Sequence, residues 1–367
     1  ITKYLYFRKY IYYMYKIGLI GCGRISHRHC DILINKKIKK IKLVSVCDVN
    51  IDKAKRLSKK FNLKYYSDMN EMIREENLDI VTILTESGNH CKHVCQIAKF
   101  KINIIVEKPM ALTVSDCKKM INICKKYGSN LMIIKQNRFN LPVVKLKKAI
   151  EKNVFGKLFL GTVRVRWCRD NNYYSLDKWR GTWKMDGGVL ANQAIHHIDL
   201  LEWLVGKVDK VFAVGSKALT NNETEDTALV ILKFKNKKTL GLIEATTATR
   251  PNDLEGSISI LGEKGNAEIG GFAVNKLKSW NLVKDMKKHK IVNFDKHSEN
   301  PPNVYGFGHE QYYKNVLRFL EKKEKILVDG HSGLRSVLLV QSIYKSIETG
   351  KEVKVRENNF HSRLGKH

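Results

Sequence analysis

The residues best placed for chemistry fall in three short runs. Glu107-Lys108-Pro109 follows the apolar run INIIV, which puts a carboxylate and an amine at the carboxyl end of a strand, where open parallel sheets bind ligands. A lysine withdrawn from water there loses part of its proton affinity and can exchange protons near neutrality. The bland alternative is an ion pair that merely ends a strand. The second run, Gly187–Asp199, carries Asn192, His196 and Asp199 at i, i+4 and i+7. On a helix these form one polar stripe on an otherwise apolar element, and such groups need partners or a cleft. The third run is Gly18-Leu-Ile-Gly21-Cys-Gly23-Arg24-Ile25-Ser26. Gly21 permits a tight turn, Gly23 lets the backbone approach a pyrophosphate at a helix N-terminus, and Ser26 is small enough for close helix packing. Asp48, ending the next apolar run, can accept both ribose hydroxyls and would repel a 2′-phosphate. Val49 and Asn50 follow it, with no arginine to cradle such a phosphate. The pattern predicts NAD as cofactor rather than NADP.

These groups must be held by a fold, and the hydrophobic period says which. Strand-like runs (Tyr15–Ile20, Lys42–Cys47, Asp79–Leu84, Asn103–Val106, Leu131–Lys135) alternate with helical ones (Arg24–Asn35, Lys53–Lys60, Asn89–Phe100, Ser115–Tyr127). That alternation predicts a parallel sheet with right-handed crossovers covered on both faces. After Gln136 strand follows strand: Leu158–Trp167, Val208–Ser216, Thr227–Phe234, Leu240–Thr247 and Ser257–Leu261, with a tight turn at Asn236–Lys238. Helices are expected over Val189–Leu204, His309–Glu321 and Gly333–Thr349. The expected fold class is α/β: a Rossmann dinucleotide-binding domain over 14–136, then an α/β domain with a large, mostly antiparallel open sheet over 137–360. With only 5 Pro in 367 residues, the domains should pack closely around a cleft.

Residues 1–13 (ITKYLYFRKYIYY) are too short and basic to span a bilayer and are read as upstream sequence, with Met14 as the start. The net charge of +31, from 67 Lys+Arg against 36 Asp+Glu, invites a nucleic-acid reading. Yet the lysines are scattered and the chain is also rich in Ile, Asn and Tyr, so the excess is read as background composition. No nucleic-acid or membrane partner is expected; an acidic substrate is compatible. The 8 Cys contain no C-x-x-C pair and several sit in apolar runs, as reduced cytoplasmic thiols do. His90, Cys91, His93 and Cys95 do not share one helix face, so no metal is expected.

In chain order, the glycine turn, Thr85-Glu-Ser-Gly-Asn-His90, Glu107-Lys108-Pro109 and His196-x-x-Asp199 resemble the glucose–fructose oxidoreductase/inositol dehydrogenase/rhizopine-catabolism (Gfo/Idh/MocA) family. A narrower resemblance, to the UDP-N-acetylglucosaminuronate 3-dehydrogenases, rests on Lys135–Asn140, Trp179–Gly188, Asn192-Gln193 with the double histidine, and Gly265–Phe272. The resemblance implies oxidation of a sugar hydroxyl, here C3 of UDP-N-acetylglucosaminuronate, in bacterial lipopolysaccharide synthesis. It implies a homotetramer built through the open sheet, and 2-oxoglutarate as hydride acceptor. Lys108 and His196 are the implied catalytic pair. Cofactor contacts would come from Gly21, Gly23, Arg24, Ile25, Asp48, Thr85, His90, Glu107, Lys108, Gln136, Trp179 and Arg180. Substrate contacts would come from Lys108, Arg138, Arg166, Tyr173, Asn192, Gln193 and His196. Many relatives carry aspartate where Asn192 stands; an amide cannot take a proton, so Asn192 is at most a hydrogen-bonding group. Arg164, Arg169 and Tyr174 add donors and ring faces for the diphosphate and carboxylate. An inositol or free-sugar dehydrogenase, and a non-catalytic nucleic-acid-binding protein on a Rossmann scaffold, stay open as alternatives.

Overall fold

The computed structural model describes residues 13–35, 38–235, 238–271, 273–289, 294, 298, 306–357 and 362–366. Residues 1–12 of the upstream segment, and Asn236 and Lys237 of the expected turn, lie outside them. The Tyr13 hydroxyl donates to Asp79 at 2.5 Å.

The first half builds a six-stranded parallel sheet. In chain order run β1 (Tyr15–Ile20), α1 (Arg24–Asn35), β2 (Ile41–Cys47), α2 (Ile51–Phe61), β3 (Lys64–Tyr66), α3 (Met69–Glu76), β4 (Ile80–Ile83), α4 (His90–Ile97), β5 (Asn103–Val106), α5 (Val114–Tyr127) and β6 (Leu131–Ile133). The spatial order is β3-β2-β1-β4-β5-β6, with β1 central and the reversal between β1 and β4 opening a crevice at their carboxyl ends. All four residues of β4 and the last three of β5 are buried, because helices cover both faces. Asn50 caps α2, its side chain accepting from the Asp52 and Lys53 amides, so the chain leaves β2 directly into a helix pointing back along the sheet. The sequence pattern overlooks β3 and α3, which are too short to show a period.

The second half runs α6 (Leu141–Glu151), β7 (Leu158–Arg166), α7 (Asn171–Ser175), α8 (Ile195–Val205), β8 (Val208–Ser216), β9 (Thr227–Phe234), β10 (Leu240–Thr246), β11 (Glu255–Gly262), β12 (Gly265–Gly270), β13 (Lys276–Leu282), α9 (Gly308–Leu320), α10 (Gly330–Thr349) and β14 (Val353–Lys354). Its eight strands lie in the order β13-β12-β11-β7-β10-β9-β8-β14, antiparallel except for the β7–β10 pair. Three strands, β12, β13 and β14, and two helices, the Pro-initiated α6 and the short α7, go beyond the sequence expectation. The alternation is strict in β9, where Ala228, Val230, Leu232 and Phe234 are buried. Leu229 and Ile231 point the other way, half exposed, beside Phe212, Val214, Leu240 and Leu242 of neighbouring strands. One face of the sheet is thus core and the other a wide apolar surface.

The expected helix from Val189 begins instead as a π-turn, Val189–Gln193, before α8. Gly188 starts it: a Cβ there would lie 2.2 Å from the Glu225 carbonyl and 2.3 Å from its Oε2. Glu225 in turn receives the Val189 amide on its carbonyl and the Leu190 amide on Oε1, so contact with the segment before β9 sets the wide turn.

Candidate active site

The crevice faces the second domain across a cavity of about 1130 Å³ lined by both. At Gly21, φ is +99°, and a Cβ would sit 2.8–2.9 Å from backbone atoms of Leu84 and Thr85; only glycine lets β1 turn past the end of β4. At Gly23 an added Cβ would meet nothing within 4 Å, so the backbone is open to the cavity. Asp48 is pinned there, Oδ2 accepting from the Cys22 amide and Oδ1 from the Asn50 amide, each at 2.8 Å. Arg24, Ile25 and Thr85 line the same end, with Lys53, Arg56 and Lys60 of α2 beside them. An open glycine turn with a fixed carboxylate one strand away fits a dinucleotide.

Glu107 and Lys108 leave β5 into the cavity, and the structure shows what the sequence could not: how Glu107 is held. Its Oε1 lies 3.2 Å from His29 Nε2 and 3.7 Å from His309 Nε2, while Oε2 accepts the Lys108 amide at 2.8 Å. His29 is oriented by Tyr313, whose hydroxyl is 2.7 Å from Nδ1. Burial would raise the Glu107 carboxyl, but the two imidazoles hold it well below the usual range, so it is ionised. These three donor sets lie within 4.8 Å of one another, a spacing a small cation could also share.

Lys108 Nζ donates to the Asn192 carbonyl at 2.8 Å, a bond across the domain boundary. Burial lowers its proton affinity below that of an ordinary lysine, against the pull of Glu107 and Asp186. His196, on α8, is pushed well below its ordinary value by burial and then by Lys108, so its ring is neutral at pH 7. Its Nε2 lies 3.2 Å from Gln136 Nε2; with the amide donating, that nitrogen is an acceptor. The cavity therefore presents an amine and a neutral imidazole, two groups able to take a proton.

The remaining wall is basic. Tyr173 is flanked by the guanidinium carbons of Arg180 at 4.9 Å, Arg169 at 5.5 Å and Arg24 at 5.7 Å from its ring centre. Its hydroxyl receives Arg180 Nη1 at 2.8 Å and Gln193 Nε2 at 3.1 Å. Trp179, Asn192 and Gln193 line this side.

Five expected contacts fall elsewhere, two of them Arg164, beside Glu244 on the second sheet, and Tyr174, buried off the cavity with its hydroxyl 3.3 Å from Thr247 Oγ1. Arg138 is buried with its guanidinium forked onto Asp199 at 2.7 and 2.8 Å, so it is not free for a substrate anion. Arg166 lies on the outer face of the second sheet, forked onto Glu244 at 2.6 and 2.7 Å. His90 is buried behind the cavity wall, its ring between the Pro109 and Thr85 carbonyls at 2.8 and 3.0 Å. It braces the lysine loop. His93 reaches the cavity instead, Nδ1 2.9 Å from Thr85 Oγ1. Asp199 also leaves the expected stripe: one helical turn beyond His196 on α8, it faces Lys135 Nζ at 2.5 Å as well as Arg138.

Comparison with known proteins agrees with this architecture. Residues 15–134 match an oxidoreductase-family NAD-binding Rossmann fold, and residues 147–355 that family's C-terminal alpha/beta domain. The WlbA dehydrogenase from Bordetella pertussis, solved in complex with NADH and UDP-GlcNAcA, is 35% identical with a TM-score of 0.86, covering 94% of this chain and 98% of its own. WlbA from Chromobacterium violaceum, in complex with the same pair, is 34% identical with a TM-score of 0.85, covering 94% and 97%. A myo-inositol 2-dehydrogenase of Thermotoga maritima is 29% identical over 93% of this chain and 99% of its length.

Proposed function

From the premise that this chain belongs to the Gfo/Idh/MocA oxidoreductase family, we propose that it oxidises the C3 hydroxyl of UDP-N-acetylglucosaminuronate to the 3-keto sugar, in bacterial lipopolysaccharide synthesis. The chain is an NAD-dependent sugar dehydrogenase; the nucleotide sugar is the finer reading. The observation that carries it is the cluster of three guanidiniums around Tyr173, placed in one cavity with Lys108 and His196. A neutral polyol offers such a wall hydroxyl acceptors but no charge, whereas a diphosphate and a carboxylate match guanidinium forks in charge and geometry.

In this reading Lys108 takes the hydroxyl proton, and His196 holds the same oxygen through a hydrogen bond. Asn192 and Gln193 orient the sugar ring, and Arg169 and Arg180, each held by one carboxylate (Asp253 and Asp177), meet the anionic groups with their remaining N–H donors. NAD, when bound, accepts the hydride from C3; Gly21, Gly23, Arg24, Ile25, Asp48 and Thr85 would hold it, with Gln136, Trp179 and Arg180 near the reacting end. The reduced cofactor would be reoxidised by 2-oxoglutarate. The half-exposed apolar face around Leu229 and Ile231 supports self-association, proposed as a homotetramer. All eight cysteines are unpaired and no described helix is long and apolar enough to cross a membrane, in keeping with a cytoplasmic enzyme.

The test compares UDP-N-acetylglucosaminuronate, UDP-N-acetylglucosamine and myo-inositol at saturating NAD, with absorbance at the reduced-nicotinamide band. The uronate should turn over fastest, because binding energy from remote anionic groups orients C3–H, and truncated substrates should lose turnover as well as affinity. Faster oxidation of inositol, the substrate named for the Thermotoga relative, would keep the family and discard the substrate. Cofactor choice is separable. Asp48→Ala with Val49→Arg should move the affinity ratio toward NADP, since it removes a carboxylate and supplies a phosphate partner. Equal affinity of the unmodified protein for NAD and NADP would refute the role given to Asp48.

A further inference from the structure

One buried carboxylate is not used by the reading above. Asp186 lies just before the π-turn with zero exposure. Its Oδ2 accepts the Gly181 amide at 2.8 Å and its Oδ1 accepts the Asn192 side-chain amide. Asn192 is the residue whose carbonyl receives Lys108 Nζ. A continuous path thus runs from the Lys108 amine through both ends of one asparagine to a fully buried acid.

We propose that Asp186 is a positioning carboxylate for Lys108: it fixes Asn192 so that the Asn192 carbonyl meets the amine, and its charge governs how readily that amine sheds its proton. Asp186 is absent from the cavity lining and touches no substrate, so it acts through Lys108 rather than on the reaction directly. The groups that face Lys108 are Glu107 on its own strand and Asp186, Arg169, Arg180 and His196 from the second domain. Glu107 is held by His29 and His309. Asp186 is then the carboxylate that the second domain brings to the amine. Burial pushes it up to about 6, against the Gly181 and Asn192 hydrogen bonds and the nearby Arg180 and Lys108 cations. Its charge therefore changes close to neutrality. When the sugar O–H proton passes to Lys108 Nζ, the ammonium formed is stabilised by an ionised Asp186 and less so by a protonated one.

This inference rests on Lys108 being the base, and two variants separate the claims. Asp186→Asn keeps the volume and removes the charge. An ionised Asp186 favours the ammonium, so its loss should move the acidic limb of the kcat/KM profile to lower pH, by about half a unit or more. The KM for substrate should stay close to that of the unmodified enzyme. A merely structural role would depress kcat at every pH with the limb in place, and that result overturns the proposal. Should Asp186→Asn not fold, the reciprocal measurement serves. In Lys108→Met the carboxyl carbon resonance of Asp186 should titrate at higher pH than in the unmodified holoenzyme, because a stabilising cation is gone. An unmoved midpoint overturns the coupling. If Lys108→Met retains turnover, the base assignment itself fails; if that variant is silent while the Asp186→Asn limb is unmoved, only the present inference fails.

Discussion

Lys108→Met should cut turnover by about a hundredfold or more, the scale of a lost general base, while cofactor affinity changes little. Methionine fills the same channel but has no amine to take the hydroxyl proton. The geometry gives Lys108 two features of a working base. It is withdrawn from water, which lowers its proton affinity, and its Nζ is held by a hydrogen bond to Asn192 rather than by a tight ion pair. The pH dependence follows with a definite sign. The neutral amine is the active form, so kcat/KM rises with pH until Lys108 is deprotonated, earlier than an exposed lysine would allow. Pre-steady-state formation of reduced nicotinamide isolates the chemical step from product release. If that step runs at a near-normal rate and only NAD affinity falls, Lys108 is a binding group and His196 inherits the proton.

The second large effect is on stability. Asp199 is buried against Lys135, Arg138 and Ser336, and Arg138 also stacks over Trp203 at 5.0 Å. Asp199→Ala would leave two buried cations without their anion, and removing one partner of a buried pair typically costs about 3–5 kcal/mol. Burial alone would raise the Asp199 carboxyl, but Arg138 and Lys135 hold it well below its ordinary value. Its folded pKa is depressed, so its stabilisation is present above the unfolded value near 4 and is lost as pH falls through the folded one. Urea unfolding of the two proteins should show the full gap at pH 7 and a narrowing gap below about pH 4. A gap under about 1 kcal/mol at pH 7 would mean that the site relaxes or admits water.

Much of this architecture is written locally. The glycine turn, Asp48 and the lysine loop each follow an apolar strand, and the fold needs only to bring strand ends together. Asn192 and His196 also reach the cavity as their spacing suggests. Asp199 does not, because Lys135, Arg138 and Ser336, distant in sequence and silent as a pattern, take up its carboxylate. Arg166 was open to a stricter reading: Val163 and Val165 alternate into the core, which assigns Arg164 and Arg166 to the opposite face. His29 and His309 had no local signal at all. They converge on Glu107 from α1 and α9, and each looks like an ordinary helix residue until the chain is folded.

The bond between Lys108 and the Asn192 carbonyl joins two halves that otherwise have separate tasks. Most dinucleotide-facing groups lie before residue 137, and most of the basic wall around Tyr173 lies after it, with Arg24, Trp179 and Arg180 as the exceptions that reach across. A gene so divided can drift in one half while the other stays under constraint. Replacements around residues 169–193 that spare Trp179 and Arg180 can exchange one hydroxylated molecule for another and leave the redox partner untouched. Such a layout is evolvable by parts, and grafting that segment between homologues is the natural route to a new specificity. The contact at residue 192 sets the condition for such a graft: Asp186 and Asn192 must travel together, because the carbonyl meets the lysine while the side chain is held.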